Sequence, residues 1–177
     1  MRHRFWLISG GLATATATGI YGTLSSTAQG TWQPAGEVLP TELLEQIQSD
    51  HLQPEFSDDV GQMRAWKIQQ PGQHAPLYLI DSRLAQANEQ PLCGQSGCAF
   101  FAYVPGGQHY RSVWNAYLDP RLPPELNLIT TTDTLHNRLP ELTLYQLERG
   151  QLQQFTLAFD GDRYEVVEAV NLPNSHE

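Results

Sequence analysis

The chain has 177 residues, with 10 Lys+Arg against 19 Asp+Glu and a formal net charge of −9. That acidic balance excludes partners that need a basic face to neutralise phosphate, so neither nucleic acid nor an anionic lipid surface is expected to bind. A hydrophobic content of 40% with four Trp and seven Tyr is that of a folded domain rather than a disordered one.

The first thirty residues read as an export signal. Arg2 and Arg4 form a basic head, no acidic residue precedes Glu37, and residues 5–21 carry no charge. Ala28 and Gly30 then stand at the minus-three and minus-one positions of a signal-peptidase site. The competing reading is a retained membrane anchor, but the uncharged stretch is short for a bilayer span and diluted by Gly10, Gly11 and Gly19. Membrane contact is expected only if this segment is retained. The domain plan is therefore a signal peptide over 1–30, a flexible lead-in over 31–39, a single α+β domain over 40–170 and a frayed tail over 171–177.

Pro40 precedes Thr41, a good N-cap, and Leu43, Leu44 and Ile47 recur at helical spacing. This predicts a helix from Thr41 to about Leu52, ending before Pro54. Asp58 and Asp59 follow in an acidic loop and are expected to be solvated. From Arg64 onward the signals are those of strands. Residues 65–69 form one candidate, Pro71-Gly72-Gln73 a turn, and Leu77-Tyr78-Leu79-Ile80 a buried strand. Residues 99–104 and 108–118 flank the hairpin signal Pro105-Gly106-Gly107. In the second arm Tyr110, Ser112, Trp114, Ala116 and Leu118 alternate with His109, Arg111, Val113, Asn115 and Tyr117, the first set facing the core.

Further strands are expected over 126–131, 142–147 and 153–159, and Phe155, Leu157 and Phe159 mark the buried face of the last. Gly150 lies near the tip of one hairpin and Asp160-Gly161 opens another, leading to a strand over 163–169. One N-terminal helix packed on a mainly antiparallel sheet of about eight strands in hairpin order gives the α+β class.

Cys93 and Cys98 are the only cysteines. Their spacing, with two glycines between them, suits a disulfide across a tight loop in an oxidising compartment. It lacks the Cys-x-x-Cys spacing of a redox site, and a zinc site would need two further ligands. No catalytic constellation, metal site or cofactor motif is found. Gly94-Gln95-Ser96-Gly97 lacks the final glycine of a nucleophile elbow, and Asp160-Gly161-Asp162 lacks the twelfth-position Glu of a calcium loop. The candidate binding residues are His109, Arg111, Asn115 and Tyr117, types common at binding surfaces and placed by alternation on one exposed face.

The block Leu92-Cys93-Gly94-Gln95-Ser96-Gly97-Cys98-Ala99-Phe100, with Trp114-Asn115 and Phe159-Asp160-Gly161-Asp162 downstream, resembles small exported bacterial proteins, cyanobacterial ones especially, that carry a Cys-Gly-x-x-Gly-Cys motif. The resemblance covers roughly residues 77–168 and implies export and a β-rich fold, with no chemistry attached. The expectation is thus an exported, non-enzymatic domain that binds a protein or envelope component through a sheet face. Two alternatives remain: an envelope hydrolase assembled from His109, Asp119 and Asp133, and an inhibitor of a secreted enzyme presenting the loop 90–97.

Overall fold

The structure, a computed structural model, describes residues 31–54, 60–84, 90–122 and 126–173. The expected export signal over 1–30 and the Asp58 and Asp59 pair lie outside the described residues. Ten strands and two helices follow in the order β1 (Gln33–Pro34), α1 (Ala35–Val38), α2 (Thr41–His51), β2 (Arg64–Ile68), β3 (Leu77–Asp81), β4 (Cys93–Gly94), β5 (Gly97–Pro105), β6 (Tyr110–Leu118), β7 (Ile129–His136), β8 (Leu139–Glu148), β9 (Gln151–Phe159) and β10 (Tyr164–Asn171).

The class is α+β and the pairing antiparallel, but the strands divide into two sheets rather than one of eight. A six-stranded sheet runs β1-β2-β3-β5-β4 with β6 on the other side of β5, and a four-stranded sheet runs β10-β9-β8-β7. The division follows from the apolar pattern. Trp66, Ile68, Leu77, Leu79, Phe100 and Ala102 face Ile129, Leu142, Leu144, Leu157 and Phe159 across an inter-sheet core. Ala65, Tyr78, Ile80, Phe101 and Tyr103 point the other way, onto Leu43 and Ile47 of α2. The larger sheet is the middle of three layers, so all five residues of β3 are buried. An uninterrupted apolar run is what such a strand requires.

Helix α2 forms where the i, i+4 pair Leu43 and Ile47 meets that second core. Burying each contributes about 1.5–3 kcal/mol. Pro40, not Thr41, occupies the N-cap, without a side-chain hydrogen bond, and its carbonyl accepts from Leu43 and Leu44 N–H. Its φ of −58° is compatible with the helix start, so the cap position moves one residue early. At the other end His51 stacks on Phe101, ring centroids 3.9 Å apart, with its Nε2 2.8 Å from the Tyr103 hydroxyl.

Residues 31–39 are not a flexible lead-in. Gln33 and Pro34 pair with β2, Ala35 N–H donates to the Met63 carbonyl at 2.7 Å, and Ala35 and Leu39 are buried. Long-range pairing orders a segment that has no periodicity of its own. In the 171–177 tail, Asn171 closes β10 and Leu172 N–H donates to the Leu152 carbonyl, while 174–177 lie outside the described residues. Strands β7 and β8 are longer than their apolar runs and meet at Asn137 and Arg138, both at positive φ (46° and 68°). Two adjacent residues with positive φ form a two-residue hairpin loop matched to strand twist.

Candidate functional site

Strand β6 carries the residues singled out from the sequence, and a bulge decides where they go. Its register against β5 slips after Ala102 pairs with Trp114, because Tyr103 then pairs with Ser112 and Val113 is left over. Val113 and Trp114, though adjacent, both pack against the inter-sheet core. One extra residue shifts every side chain beyond it to the other face. Tyr110 therefore packs toward α2, edge-on to Tyr78 at 5.9 Å, and does not share a face with Trp114, Ala116 and Leu118.

The slip also divides the expected binding quartet. Arg111 lies opposite the core residue Val104, on the inter-sheet side. Its guanidinium sits 5.6 Å from the Phe159 ring centroid and clasps the β9–β10 turn, with Nη1 donating to the Asp162 carbonyl at 2.6 Å and to Asp162 Oδ1 at 2.8 Å. Asn115 and Tyr117 lie opposite Phe101 and Ala99, on the α2 side, and both are exposed. His109 is exposed in the turn before β6, where its carbonyl accepts the Gly106 N–H. Only Asn115 and Tyr117 share a surface.

These two residues also present their peptide groups outward. Ala99 gives its N–H to the Leu92 carbonyl and takes the Ser82 N–H, both on the side of β5 away from β6. Tyr117, directly opposite Ala99, therefore cannot exchange ladder bonds with it, and its own N–H and C=O point to the outer edge of β6. The period of two repeats this at Asn115. Beyond Tyr110, β6 has no strand partner on that edge among the described residues.

At Tyr110 a side chain stands in for a strand. Gln46 of α2 donates Nε2 to the Tyr110 carbonyl at 2.8 Å and accepts the Tyr110 N–H at 2.9 Å. Beyond its bulge at Val113, β6 lacks the protection that the β10 edge carries. The β10 edge has Glu165, Glu168 and a bulge at Val167, whereas Trp114-Asn115-Ala116-Tyr117-Leu118 contains no charge and no proline. Charges, bulges and prolines are the devices that keep strand edges from pairing.

Between β6 and β10 lies an open cleft of about 600 Å³, lined by Ser112, Val113, Trp114, Asn115 and, from the facing sheet, Arg163, Tyr164, Glu165 and Val166. Arg163 and Glu165 pair at 2.7 Å, so the charges facing this cleft largely cancel. Val166 lies opposite the core residue Leu157 and so points toward the inter-sheet side, yet it is 56% exposed. Among the described residues the larger sheet ends at β6 and nothing fills the space over Val166. A strand's width added to β6 would cover it.

The remaining sequence candidates have structural explanations. Cys93 and Cys98 form a disulfide across the β4–β5 hairpin, where the two residues are directly paired. His109 and Asp119 flank β6 at opposite ends, about 30 Å apart at the rise of an extended strand, and so form no site with Asp133. Arg121 binds the Asp119 carboxylate through Nε and Nη2 and holds its pKa down to about 2. Asp160 Oδ1 accepts the Asp162 and Arg163 N–H groups, which lower its pKa and commit that oxygen to the turn. No cluster of three metal-ligating side chains occurs among the described residues, nor any helix long and apolar enough to cross a membrane.

Sequence reasoning missed the open edge and the cleft, because both depend on where the second sheet stops. The uncharged, proline-free run after Arg111 was the available signal. No family model matches the chain, and no curated protein or solved structure matches it significantly.

Proposed function

We propose that this chain is a non-enzymatic binding domain of an oxidising, exported compartment that takes an extended segment of a partner protein as an added strand on β6. The observation that carries the reading is the exposed, inward-pointing Val166 beside a β6 edge that, beyond its bulge, has no strand partner among the described residues and no charge or proline over 114–118. Main-chain bonds from Asn115 and Tyr117 would supply affinity, and a side chain of the added strand would sit between Trp114 and Val166, giving preference for an apolar residue there. The disulfide, the basic then uncharged amino terminus and the likeness to exported Cys-Gly-x-x-Gly-Cys proteins support the compartment.

The test is selection of extended peptides from a random library on the folded, oxidised protein, followed by amide hydrogen exchange of the complex. Protection of the Asn115 and Tyr117 amides on binding is expected, with binding lost in Asn115→Pro and Tyr117→Pro but retained in the alanine variants. Selected peptides that leave both amides exchanging as before would sink the reading.

A further inference from the structure

A second cleft, of about 590 Å³, opens at the disulfide end of the larger sheet, with no residue of β10 among its lining. It is walled by Arg64, Arg83, Leu84, Gln90, Cys93 and Cys98. Register brings its charged groups together, since Arg64 of β2 lies directly opposite Asp81 of β3. Asp81 is 1% exposed and is buried with its partner in place. Arg83 Nε donates to both Asp81 oxygens at 2.8 and 2.9 Å, and Nη2 donates to Oδ2. The guanidinium is further held 5.7 Å from the Phe100 ring centroid. Nη1 has no acceptor among the described residues.

Among the described residues Arg64 has no ion pair. Its guanidinium sits 5.8 Å from the Trp32 ring centroid, whereas Arg111, Arg121 and Arg163 each bind a carboxylate. Among the described lining residues two cations meet one carboxylate, an excess of one positive charge in a chain of net charge −9. Hydrogen bonds tie two residues of the wall together. The Gln90 side chain pairs with both peptide groups of Leu84, accepting its N–H at 2.8 Å and donating to its carbonyl at 3.0 Å. The Cys93–Cys98 disulfide gives the cleft an apolar patch, while the Leu84 side chain packs into the α2-side core beneath it.

We infer that the Arg64–Arg83 cleft binds a small organic monocarboxylate, its carboxylate held by the two guanidinium groups and its apolar body against the Cys93–Cys98 disulfide. A single excess charge suits a monoanion over a phosphate dianion, and the planar fork of a guanidinium matches a carboxylate. The volume is in the range of small-molecule sites. The carboxylate could belong to a free acid or to the carboxy terminus of a peptide, which present the same group.

The experiment follows the arginine Nε–H resonances of the oxidised protein by NMR during titration with hexanoate, phenylacetate, and a capped apolar tripeptide with a free carboxy terminus. Hexanamide, phenylacetamide and the tripeptide amide serve as controls. Saturable shifts at Arg64 and Arg83 are expected with at least one carboxylate and with no amide. A response to the free acids alone or to the tripeptide alone would identify the source. Arg64→Gln, which leaves the Asp81–Arg83 pair intact, should weaken binding about tenfold to a hundredfold, as expected for loss of a charged hydrogen bond. The proposal is overturned if no carboxylate gives a saturable shift, if the amides bind equally, or if Arg64→Gln binds as wild type does. None of these outcomes depends on the β6 edge, so the two sites fail or stand separately.

Discussion

The α-carbon of Gly97 lies so close to Leu118 that a β-carbon there would sit 2.1 Å from the Leu118 carbonyl oxygen. The contact joins the start of β5 to the end of β6, and the backbone of Gly97 is at φ +103°, where a side chain is strained. Gly97→Ala is expected to lower stability by about 2–4 kcal/mol through overpacking and backbone strain together. Chemical denaturation of the oxidised protein measures this; an alanine variant as stable as wild type would mean that the two strands separate here at little cost.

The disulfide closes a short loop one residue away. Chain-entropy reasoning gives it about 2 kcal/mol, so a Cys93→Ala, Cys98→Ala double variant should fold with that much less stability rather than fail to fold. Most of the larger sheet, including the β2–β3–β5 pairing, does not depend on it. Loss of the native circular dichroism spectrum in the double variant would contradict that independence.

Stability should also fall on mild acidification through His51. Burial lowers its pKa from 6.5, opposed in part by the Asp50 carboxylate. The unfolded chain then takes up the proton at a higher pH than the folded one, so the contribution is complete above about pH 6.5 and is lost as pH falls through the folded value. Tyr103, whose pKa burial raises, stays a phenol throughout and does not offset this. His51→Gln is expected to flatten the pH dependence of the unfolding free energy between about pH 7 and about pH 5. An unchanged slope would place the titration elsewhere.

The ladder parity of β6 makes opposite predictions for neighbouring residues. Tyr117 directs its N–H away from β5, so Tyr117→Pro should cost about 1 kcal/mol or less, as prolines do on edge strands. Ala116 lies opposite Phe100 and bonds to it, so Ala116→Pro should cost about 3 kcal/mol or more. Paired thermal melts decide the matter, and equal losses at the two positions would refute the assignment of the outer edge.

Arg111 supplies a control for the proposed binding edge. Its ion pair with Asp162 is exposed, and such pairs contribute about 0–1 kcal/mol. Arg111→Ala should therefore alter stability by little more than that and leave peptide binding at β6 intact. A large loss of binding would return Arg111 to the site.

Where one face of a strand is wet, its alternation was legible in the sequence: Phe155, Leu157 and Phe159 of β9 point inward as their period of two requires. The run Leu77-Tyr78-Leu79-Ile80 likewise announced a buried strand. The bulge at Val113 was not legible, because no residue in Tyr110–Leu118 carries the glycine or proline that would mark it, and the face of Arg111 was misassigned in consequence. The Asn137–Arg138 loop lacks the glycine of the common hairpin signals. Arg64 and Asp81 are neighbours only through register, which one strand's pattern cannot reveal.

The middle layer has a consequence for how this sequence can change over generations. From Leu77 to Asp81 each residue touches a neighbouring layer or a buried ion pair, so no position is free to drift alone. A change at Leu79 must be accommodated by the smaller sheet, and one at Ile80 by α2. Strand β10 is exposed over all but its first residue and can exchange polar side chains almost independently. Descendants of this chain should therefore be recognisable by β3 and β5 long after β10 has diverged.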